Sequence, residues 1–424
     1  MHLSPDPQRG LAEANHDKIA TIFVILIGFL FVYFFAAMFW NQWQPDLSAL
    51  YMAGKSVAAG HPEAIYAAPP NFFTAGTPTE WVPLAKQIGH ADKVILPYLY
   101  PPIWAHLMAP LTEVMAPTTF FNIVLVLQLA MLATMPYLGW QIARPEAPSL
   151  RQWAPIGTII LAVSAPGLGA IIQNQPQITV TFLTLLGALA SLRGRPVTAG
   201  LLLALAAAIK LQPALFGLIF LLKGNWRAAI AMTLGGILLL ALSLLISGPE
   251  AHFTMLARLS EINAMVVYTK VNYSLEVLLY QLHQLATGSL IPDGTNVAIP
   301  ILDAPQWIEL LPKLCLLAGA GWLALKRHAM SEPQIWLALS LLIAMFGPLS
   351  WGHYFVLALA LLPVLFTLTS PPVAWCWVAA FALLFSYPLY STLLPYNVRF
   401  MATLLPPLAM LYPLTLFVLH PSRP

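Results

Sequence analysis

Charged residues are scarce in this chain. Asp, Glu, Lys and Arg make up 8 % of its 424 residues, whereas a soluble domain contains about 25 %. A soluble core of this size would need a charged surface that so few residues cannot provide. Because 59 % of the residues are hydrophobic, the composition predicts an integral membrane protein. The formal net charge of +3 gives no basis for nucleic-acid binding.

Cysteines and the common catalytic motifs are also few or missing. Cys315 and Cys376 are the only cysteines, and both lie in apolar runs, so we expect them to pack in helices without forming a disulfide. The sequence contains no GxxxxGK[ST] loop, no GxGxxG after a strand, no HExxH, no GxSxG and no Cys/His group with zinc spacing. These absences argue against a cytosolic nucleotide-dependent enzyme.

Long apolar runs are what the chain has in abundance. The first, at 19–40, is about twice as long as the apolar core of a signal peptide and lacks a cleavage site, so we expect it to stay attached as a span. At about 20 residues per span, the sequence predicts twelve. They lie near 19–40, 118–141, 153–172, 176–192, 196–210, 211–223, 226–247, 309–325, 333–349, 353–369, 372–392 and 399–419. The alternative for the two short runs beside Pro213 is one re-entrant hairpin.

The distribution of Lys and Arg predicts the orientation. With a cytoplasmic N-terminus, eleven of the nineteen basic residues fall in short inner segments, as is typical of cytoplasmic loops. We therefore predict a multi-pass protein of the plasma membrane with both termini in the cytoplasm, forming a single domain over 1–424. Most of the non-membrane residues then lie outside, in segments 41–117 and 248–309.

Each outer segment contains a pattern typical of amphipathic helices. In the first, apolar and small residues recur at helical spacing from Leu47 to Ala58, which predicts a helix on the membrane surface. In the second, the stretches GPEAHFTMLARLSEI and SLEVLLYQLHQLA predict two further helices.

Asp46 follows directly on the first span and has two interpretations. It comes after Pro45 and before an apolar-periodic segment, which is where a helix N-cap is found. Alternatively, a carboxylate at the water–lipid boundary could accept a proton from a hydroxyl as a general base.

Two other stretches offer groups that could bind a sugar. The sequence IIQNQPQITV holds Gln173, Asn174, Gln175 and Gln177 at the outer junction of spans three and four. Amides between apolar runs need partners, either one another or a polar ligand; a plain polar turn is the alternative. The stretch YLYPPIWAHLMAPL, which contains Tyr100, predicts either a rigid loop or a wall of a binding cavity because its prolines block a regular helix.

A third group consists of outer-face cations. Lys210 lies between apolar residues, where it either snorkels to the interface or binds a phosphate. Other cations predicted on the same face are Arg258, Lys270 and Arg399. In GPLSWGHYF, His353 is either an interfacial residue or a hydrogen-bond partner for the ligand.

In their order, these segments resemble glycosyltransferase family 87, the polyprenyl-phosphate-mannose-dependent mannosyltransferases of the GT-C superfamily. The resemblance rests on Asp46 with YMAGKSVAAGHPEAIY behind it, then YPPIWAHLMAPL, the amide-rich turn, AAAIKLQPAL and SWGHYF. It implies an all-α bundle of about twelve spans with juxtamembrane helices outside. It also implies a lipid-linked sugar donor and chemistry that needs neither a nucleotide nor a metal ion.

The resemblance assigns roles residue by residue. Asp46 corresponds to the acidic base of the first outer loop. The family's Gly-Gln-x-Asn turn corresponds to residues 174–177, where the Gly is Asn174 and the Asn is Gln177. The resemblance therefore predicts transfer of mannose from a polyprenyl phosphate to a glycan or glycolipid acceptor, with inversion. A sugar-lipid transporter or flippase, and another GT-C transferase with a different sugar donor, are the alternatives.

Overall fold

The computed structural model describes residues 7–68, 76–269, 271–289, 299–347 and 349–392. This part of the chain is almost entirely helical, which agrees with the predicted fold class. Lys270, Arg399 and the predicted span at 399–419 lie outside the described residues.

The chain up to residue 209 forms helices joined by short turns. They are α1 (Pro7–Phe39), α2 (Pro45–Ala58), α3 (Val82–Gln87), α4 (Pro102–Val114), α5 (Pro117–Ala143), α6 (Leu150–Val163), α7 (Ala165–Ile172), α8 (Gln177–Leu192) and α9 (Pro196–Ile209). Single 3₁₀ turns occupy Pro62–Ala64 and Thr79–Trp81.

The rest of the described chain has longer helices mixed with short pieces. The helices are α10 (Gly217–Leu222), α11 (Trp226–Asn263), α12 (Leu275–Thr287), α13 (Gln306–Lys326), α14 (Glu332–Phe346), α15 (Val356–Ala360), α16 (Pro371–Leu384) and α17 (Tyr387–Thr392). Segments Gln212–Phe216, Gly352–Phe355 and Leu362–Thr367 are 3₁₀ helices. Strands β1 (Val266–Tyr268) and β2 (Ile299–Ile301) pair antiparallel, with Val266 opposite Ile301.

Four helices in the described residues are long and apolar enough to cross a membrane. They are Thr21–Phe39 within α1, then α5, α11 and α13. Only 11 % of the most apolar window of α1 and of α11 is buried in protein, so most of their side chains are free to face lipid. The other apolar helices have 10–17 residues. The membrane location follows from these helices, and the count of twelve spans stays a prediction.

Four of the predicted spans are interrupted, including 372–392, which divides into α16 and α17 at residues 385–386. The run at 153–172 divides into α6 and α7 at Ser164, whose hydroxyl accepts a hydrogen bond from the Gly167 amide at 3.1 Å. This bond caps the N-terminus of α7. The runs at 211–223 and 353–369 also consist of short α and 3₁₀ pieces. Side chains 356–366 are buried, so protein shields the irregular backbone from lipid, as a membrane requires.

The predicted span at 226–247 ends at a sharp break inside α11. Gly248 has φ 73° and ψ 162°, a conformation that favours glycine. Beyond it, the imidazole of His252 lies 2.8 Å from the Gly248 carbonyl through Nδ1 and 2.9 Å from Ser243 Oγ through Nε2. The second half of α11 confirms the helix predicted from GPEAHFTMLARLSEI, and α12 confirms the one predicted from SLEVLLYQLHQLA.

Two apolar cores support the site. The larger lies among the apolar bundle helices and includes α14, whose residues from Gln334 to Phe346 are all buried. The smaller core joins α2, α4 and the segment between them through Met52, Trp81 and Tyr98. Helix α2 confirms the helix predicted from Leu47 onwards. Eight of its fourteen residues are buried, so protein covers much of it, and a position on the membrane surface stays a prediction.

Candidate active site

Asp46 lies in the first turn of α2 and is not its N-cap. Gln44 occupies the cap position, because Pro45 takes the first helical position, where a proline loses no hydrogen bond. The capping interpretation of Asp46 was therefore wrong. Its partly buried carboxylate instead accepts a short hydrogen bond from the side-chain amide of Gln175.

Burial raises the pKa of Asp46 to about 6, while the hydrogen bond from Gln175 and the positive charge of Lys210 act in the opposite direction. At neutral pH the carboxylate is therefore mostly ionised, yet it is a stronger base than an exposed aspartate. A pKa close to the working pH is what general-base catalysis requires.

The amide-rich turn between α7 and α8 holds Gln175 in place. Its backbone reverses at Asn174, which has φ 48°, a left-handed conformation that asparagine tolerates better than most residues. Asn174 is fully buried and its side-chain amide donates to Gln44 Oε1 at 2.5 Å and to the Phe121 carbonyl at 3.0 Å. Two of the four predicted amides, Asn174 and Gln175, thus find partners among Asp46, Tyr100 and these groups.

Tyr100 lies against the same turn. Its hydroxyl donates to Gln175 Oε1 at 3.0 Å, so Gln175 receives one bond from Tyr100 and gives one to Asp46. Burial, and the negative charge of Asp46, hold the pKa of Tyr100 well above its usual value, so it remains a donor. The Tyr100 carbonyl accepts from the Tyr66 hydroxyl at 2.8 Å, and the Tyr98 hydroxyl donates to the Pro101 carbonyl at 2.7 Å. These bonds make the predicted proline-rich segment a rigid wall beside Asp46.

Lys210 is the cation whose positive charge acts on Asp46. It follows α9 in an extended conformation, and the Trp104 indole of α4 donates to the Ala208 carbonyl just before it at 2.7 Å. Lys210 Nζ lies 3.5 Å from His353 Nε2 and 4.3 Å from the centre of the Tyr354 ring. In the described residues it forms no salt bridge within 4.0 Å.

The loop that carries His353 is hydrogen-bonded to residues 271–273, which follow β1. Buried Asn272 accepts from the Ser350 amide at 3.2 Å and donates to the Val267 carbonyl at 3.0 Å. The Gly352 amide donates to the Val271 carbonyl at 2.8 Å. These bonds explain why segment 349–353 keeps a fixed position without being part of a long helix.

Gln177 forms no hydrogen bond with Asp46, Gln175 or Tyr100 in the described residues. Its Nε2 donates to Thr181 Oγ1 at 3.4 Å. Its buried Oε1 has no hydrogen-bond partner within the described chain. Gln177 lines a small cavity between α8 and α14 together with Thr181, Gln212, Ser340 and Tyr354.

Of the other predicted cations, only Arg258 belongs to the described residues. Arg258 donates to the Tyr66 carbonyl at 3.2 Å and to Glu261 at 2.8 Å. Its described polar contacts therefore lie with segments 41–117 and 248–309. Lys270 and Arg399 lie outside the described residues. In the described chain, no group of three or more His, Cys, Asp or Glu residues could hold a metal ion.

Several residues of the site were not predicted from the sequence. Gln44, Asn122, Gln128 and Asn272 are buried amides that support the two loops, and Tyr354 covers Lys210. Asn122 and Gln128 lie within the predicted span at 118–141, where an amide is costly unless it is bonded. The cost of placing an amide inside a span could therefore have identified Asn122 and Gln128 as residues with hydrogen-bond partners.

The model of glycosyltransferase family 87 matches residues 98–352, which is more than half of the chain. The chain belongs to glycosyltransferase family 87. A comparison with curated proteins gives no match. Family membership, together with the apolar helices, makes the protein a membrane glycosyltransferase that acts on a sugar donor and an acceptor. Gln175, Lys210 and Arg258 lie inside the matched region of this family 87 chain, whereas Asp46 and His353 lie outside it.

Proposed function

We propose that this family 87 enzyme transfers mannose from a polyprenyl-phosphate donor to a hydroxyl of a glycan or glycolipid. The observation that carries the proposal is the pair of opposite charges, Asp46 and Lys210. Each influences the other electrostatically, yet no salt bridge within 4.0 Å joins them. Because no ion pair within the described chain neutralises either group, both can act on a substrate that binds at the site.

Asp46 is the general base in this proposal. A carboxylate oxygen of Asp46 takes the proton of the acceptor hydroxyl, and the acceptor oxygen forms a bond to the anomeric carbon of the donor. The bond between that carbon and the phosphate oxygen breaks, and its electron pair leaves with the polyprenyl phosphate. Attack on the face opposite the leaving group inverts the anomeric configuration.

Lys210 stabilises the leaving phosphate. A lysine ammonium is a compact charge that suits a phosphate oxygen, and stabilisation of charge that develops in the transition state lowers the barrier. His353, 3.5 Å from Lys210 Nζ, is a further hydrogen-bond partner. Arg258, Lys270 and Arg399 remain predicted contacts of the donor, while Tyr100, Gln175 and Gln177 are predicted to bind the sugars. Neither a metal ion nor a cofactor is required.

The proposed site faces the outside of the plasma membrane, within a GT-C bundle of about twelve spans. Helix α8 runs from the amide turn to Arg193, and α9 returns from Arg195 to Lys210. The proposed site therefore lies at one end of this helix pair, and two arginines predicted to be cytoplasmic lie at the other. Lys223 donates to the carbonyls of Arg327 and Met330 at 2.9 and 2.6 Å, which supports a common side for these predicted inner loops.

Turnover of a synthetic polyprenyl-phosphate-mannose tests the proposal directly. Purified enzyme is incubated with this donor and a panel of glycan and glycolipid acceptors, and the released polyprenyl phosphate is measured. Loss of a general base lowers the rate by about 10²- to 10⁴-fold, so Asp46→Asn is expected to reduce release by at least about 100-fold.

Asp92→Asn is the matched control, because Asp92 is an exposed outer carboxylate that pairs with Lys93. It is expected to keep wild-type turnover. An Asp46→Asn enzyme with more than about a tenth of the wild-type rate would remove Asp46 from the base role. Turnover with other polyprenyl-linked sugars but not with mannose would assign a different donor to the same site.

A further inference from the structure

Two side-chain hydrogen bonds run side by side between the start of α2 and the amide turn. One joins Asp46 to Gln175. The other joins Gln44, two residues before Asp46, to Asn174, one residue before Gln175, with 2.5 Å between Gln44 Oε1 and Asn174 Nδ2. The second bond is fully enclosed in protein, since Gln44 is 1 % exposed and Asn174 is 0 % exposed.

Asn174 is attached to more than Gln44. Its side-chain amide also donates to the Phe121 carbonyl at 3.0 Å, and its own carbonyl accepts from Gln128 Nε2 at 3.1 Å. Phe121 and Gln128 belong to α5, one of the long apolar helices. The turn that presents Gln175 is therefore fixed to α5 on one side and to Gln44 on the other.

The backbone of Asn174 explains why these bonds matter. With φ 48°, the position would accept glycine with less strain than asparagine. The two hydrogen bonds donated by Asn174 Nδ2 offset the cost of burying that group, since an unpaired buried amide group costs about 1–3 kcal/mol. The side chain of Asn174 thus has a function that the turn conformation alone does not require.

The chain before α2 is held in the same way. The backbone amide of Asn41 donates to Asn122 Oδ1 at 2.9 Å, and Asn122 Nδ2 donates back to Asn41 Oδ1 at 2.7 Å. Residues 41–46 are consequently attached to α5 at Asn41 and to the amide turn at Gln44. Asp46 and Gln175 approach each other from two segments that are each anchored independently of their own bond.

We propose that Gln44 and Asn174 are positioning residues for glycosyl transfer, which keep the Gln175 amide directed at the Asp46 carboxylate. The inference rests on the proposed role of Asp46 as base. When either anchor is lost, the turn can rotate and Asp46 loses part of the donor that stabilises its ionised form. The other groups that face Asp46 are Lys210 after α9, Tyr100 before α4 and Tyr354 beside His353.

The test compares Asn174→Gly, Gln44→Leu and the double variant in the polyprenyl-phosphate-mannose assay, with kcat and the donor KM measured across pH. Misplacement of a supporting group is expected to lower kcat about 10-fold with KM within about twofold. Weaker donation by Gln175 raises the pKa of Asp46, so the acidic limb of the kcat profile is expected to move to higher pH. The double variant is expected to be no slower than the slower single variant, because each single substitution already breaks the hydrogen bond between Gln44 and Asn174.

Gln281→Leu is the control, because Gln281 is a buried amide of α12 outside this network. It is expected to leave the pH profile unchanged. All rates refer to the monodisperse folded fraction, and Gln44→Leu alone decides the test if Asn174→Gly does not fold. Folded variants with a wild-type kcat and pH profile would overturn the inference. That result together with an inactive Asp46→Asn leaves the proposed function intact, whereas an active Asp46→Asn contradicts the function itself.

Discussion

The side-chain amide of Gln175 donates a hydrogen bond to Asp46 across 129 positions of the chain. Asp46 lies in the first turn of the helix after the first span, and Gln175 lies in the turn between α7 and α8. The bond combines with burial to give a carboxylate that is ionised at neutral pH but still basic. The reactive properties of Asp46 therefore depend on the amide turn as much as on α2.

The pH dependence of turnover is the first prediction. The pKa of Asp46 is raised to about 6, so the proposed base binds a proton, and could no longer accept one, as the pH falls through that value. The kcat of the wild-type enzyme is expected to decrease below about pH 6, by about tenfold per unit at lower pH. A kcat that stays constant to about pH 4.5 would contradict this assignment.

The same shift predicts an effect on stability. Because the folded state raises the pKa of Asp46, its contribution to folding is most favourable below the unfolded value and is lost as the pH rises through about 6. Asp46→Asn removes the buried charge, so at neutral pH its thermal unfolding temperature is expected to equal or exceed that of the wild type. Near pH 4, where the wild-type carboxyl is protonated, the difference is expected to disappear.

Lys210 gives a prediction about the donor. Lys210→Gln keeps a long polar side chain but removes the charge for the leaving phosphate, and it is expected to lower kcat/KM for the polyprenyl-phosphate donor by about 100-fold. Lys86→Gln is the matched control, because Lys86 is an exposed cation of segment 41–117. Equal effects of the two substitutions would show that only net charge matters.

Asn272 connects the outer segment to the His353 loop. Asn272→Ala leaves the Val267 carbonyl and the Ser274 and Ser350 amides without this partner, which is expected to reduce the free energy of unfolding by about 1–3 kcal/mol. The measurement is denaturation in detergent. Asn263→Ala, at an exposed end of α11, is expected to change it by less than about 0.5 kcal/mol.

Gly139 tests how closely the helices approach each other. A Cβ atom at Gly139 of α5 would lie 1.8 Å from the Ala360 carbonyl oxygen, whereas one at Gly236 of α11 would meet nothing within 4 Å. Gly139→Ala is expected to destabilise the protein by about 1–3 kcal/mol or more. Gly236→Ala is expected to be neutral or stabilising, and a similar unfolding temperature for both variants would contradict the packing of α5 against α15.

Local patterns in the sequence predicted the helices, but they could not predict which residues that are distant in the sequence contact each other. Apolar periodicity from Leu47 identified α2, and the amide cluster identified the turn that holds Gln175. The break at Ser164 had a local signal as well, since a serine followed by Pro166 is typical of a helix start. By contrast, nothing near Asp46 indicates that Gln175 will be its partner, because that contact depends on how α2, α5 and α8 pack.

The two interpretations of Asp46 and the predicted cation cluster show what sequence neighbours and sidedness cannot decide. The sequence neighbours of Asp46 favoured an N-cap, and Pro45 moved the cap to Gln44. The cluster of cations was predicted from sidedness alone, which cannot distinguish Lys210, beside His353, from Arg258, bound to Glu261. Side-chain geometry is needed for that distinction.

Helix α4 contacts both halves of the proposed site. It packs along α2, which carries Asp46, and its Trp104 bonds the backbone just before Lys210. The carboxylate and the ammonium thus share one scaffold, and their spacing is set before any substrate arrives. For the proposed reaction, this shared scaffold predicts a geometric requirement: the anomeric carbon of the donor has to reach the acceptor while the phosphate bonded to it contacts the ammonium.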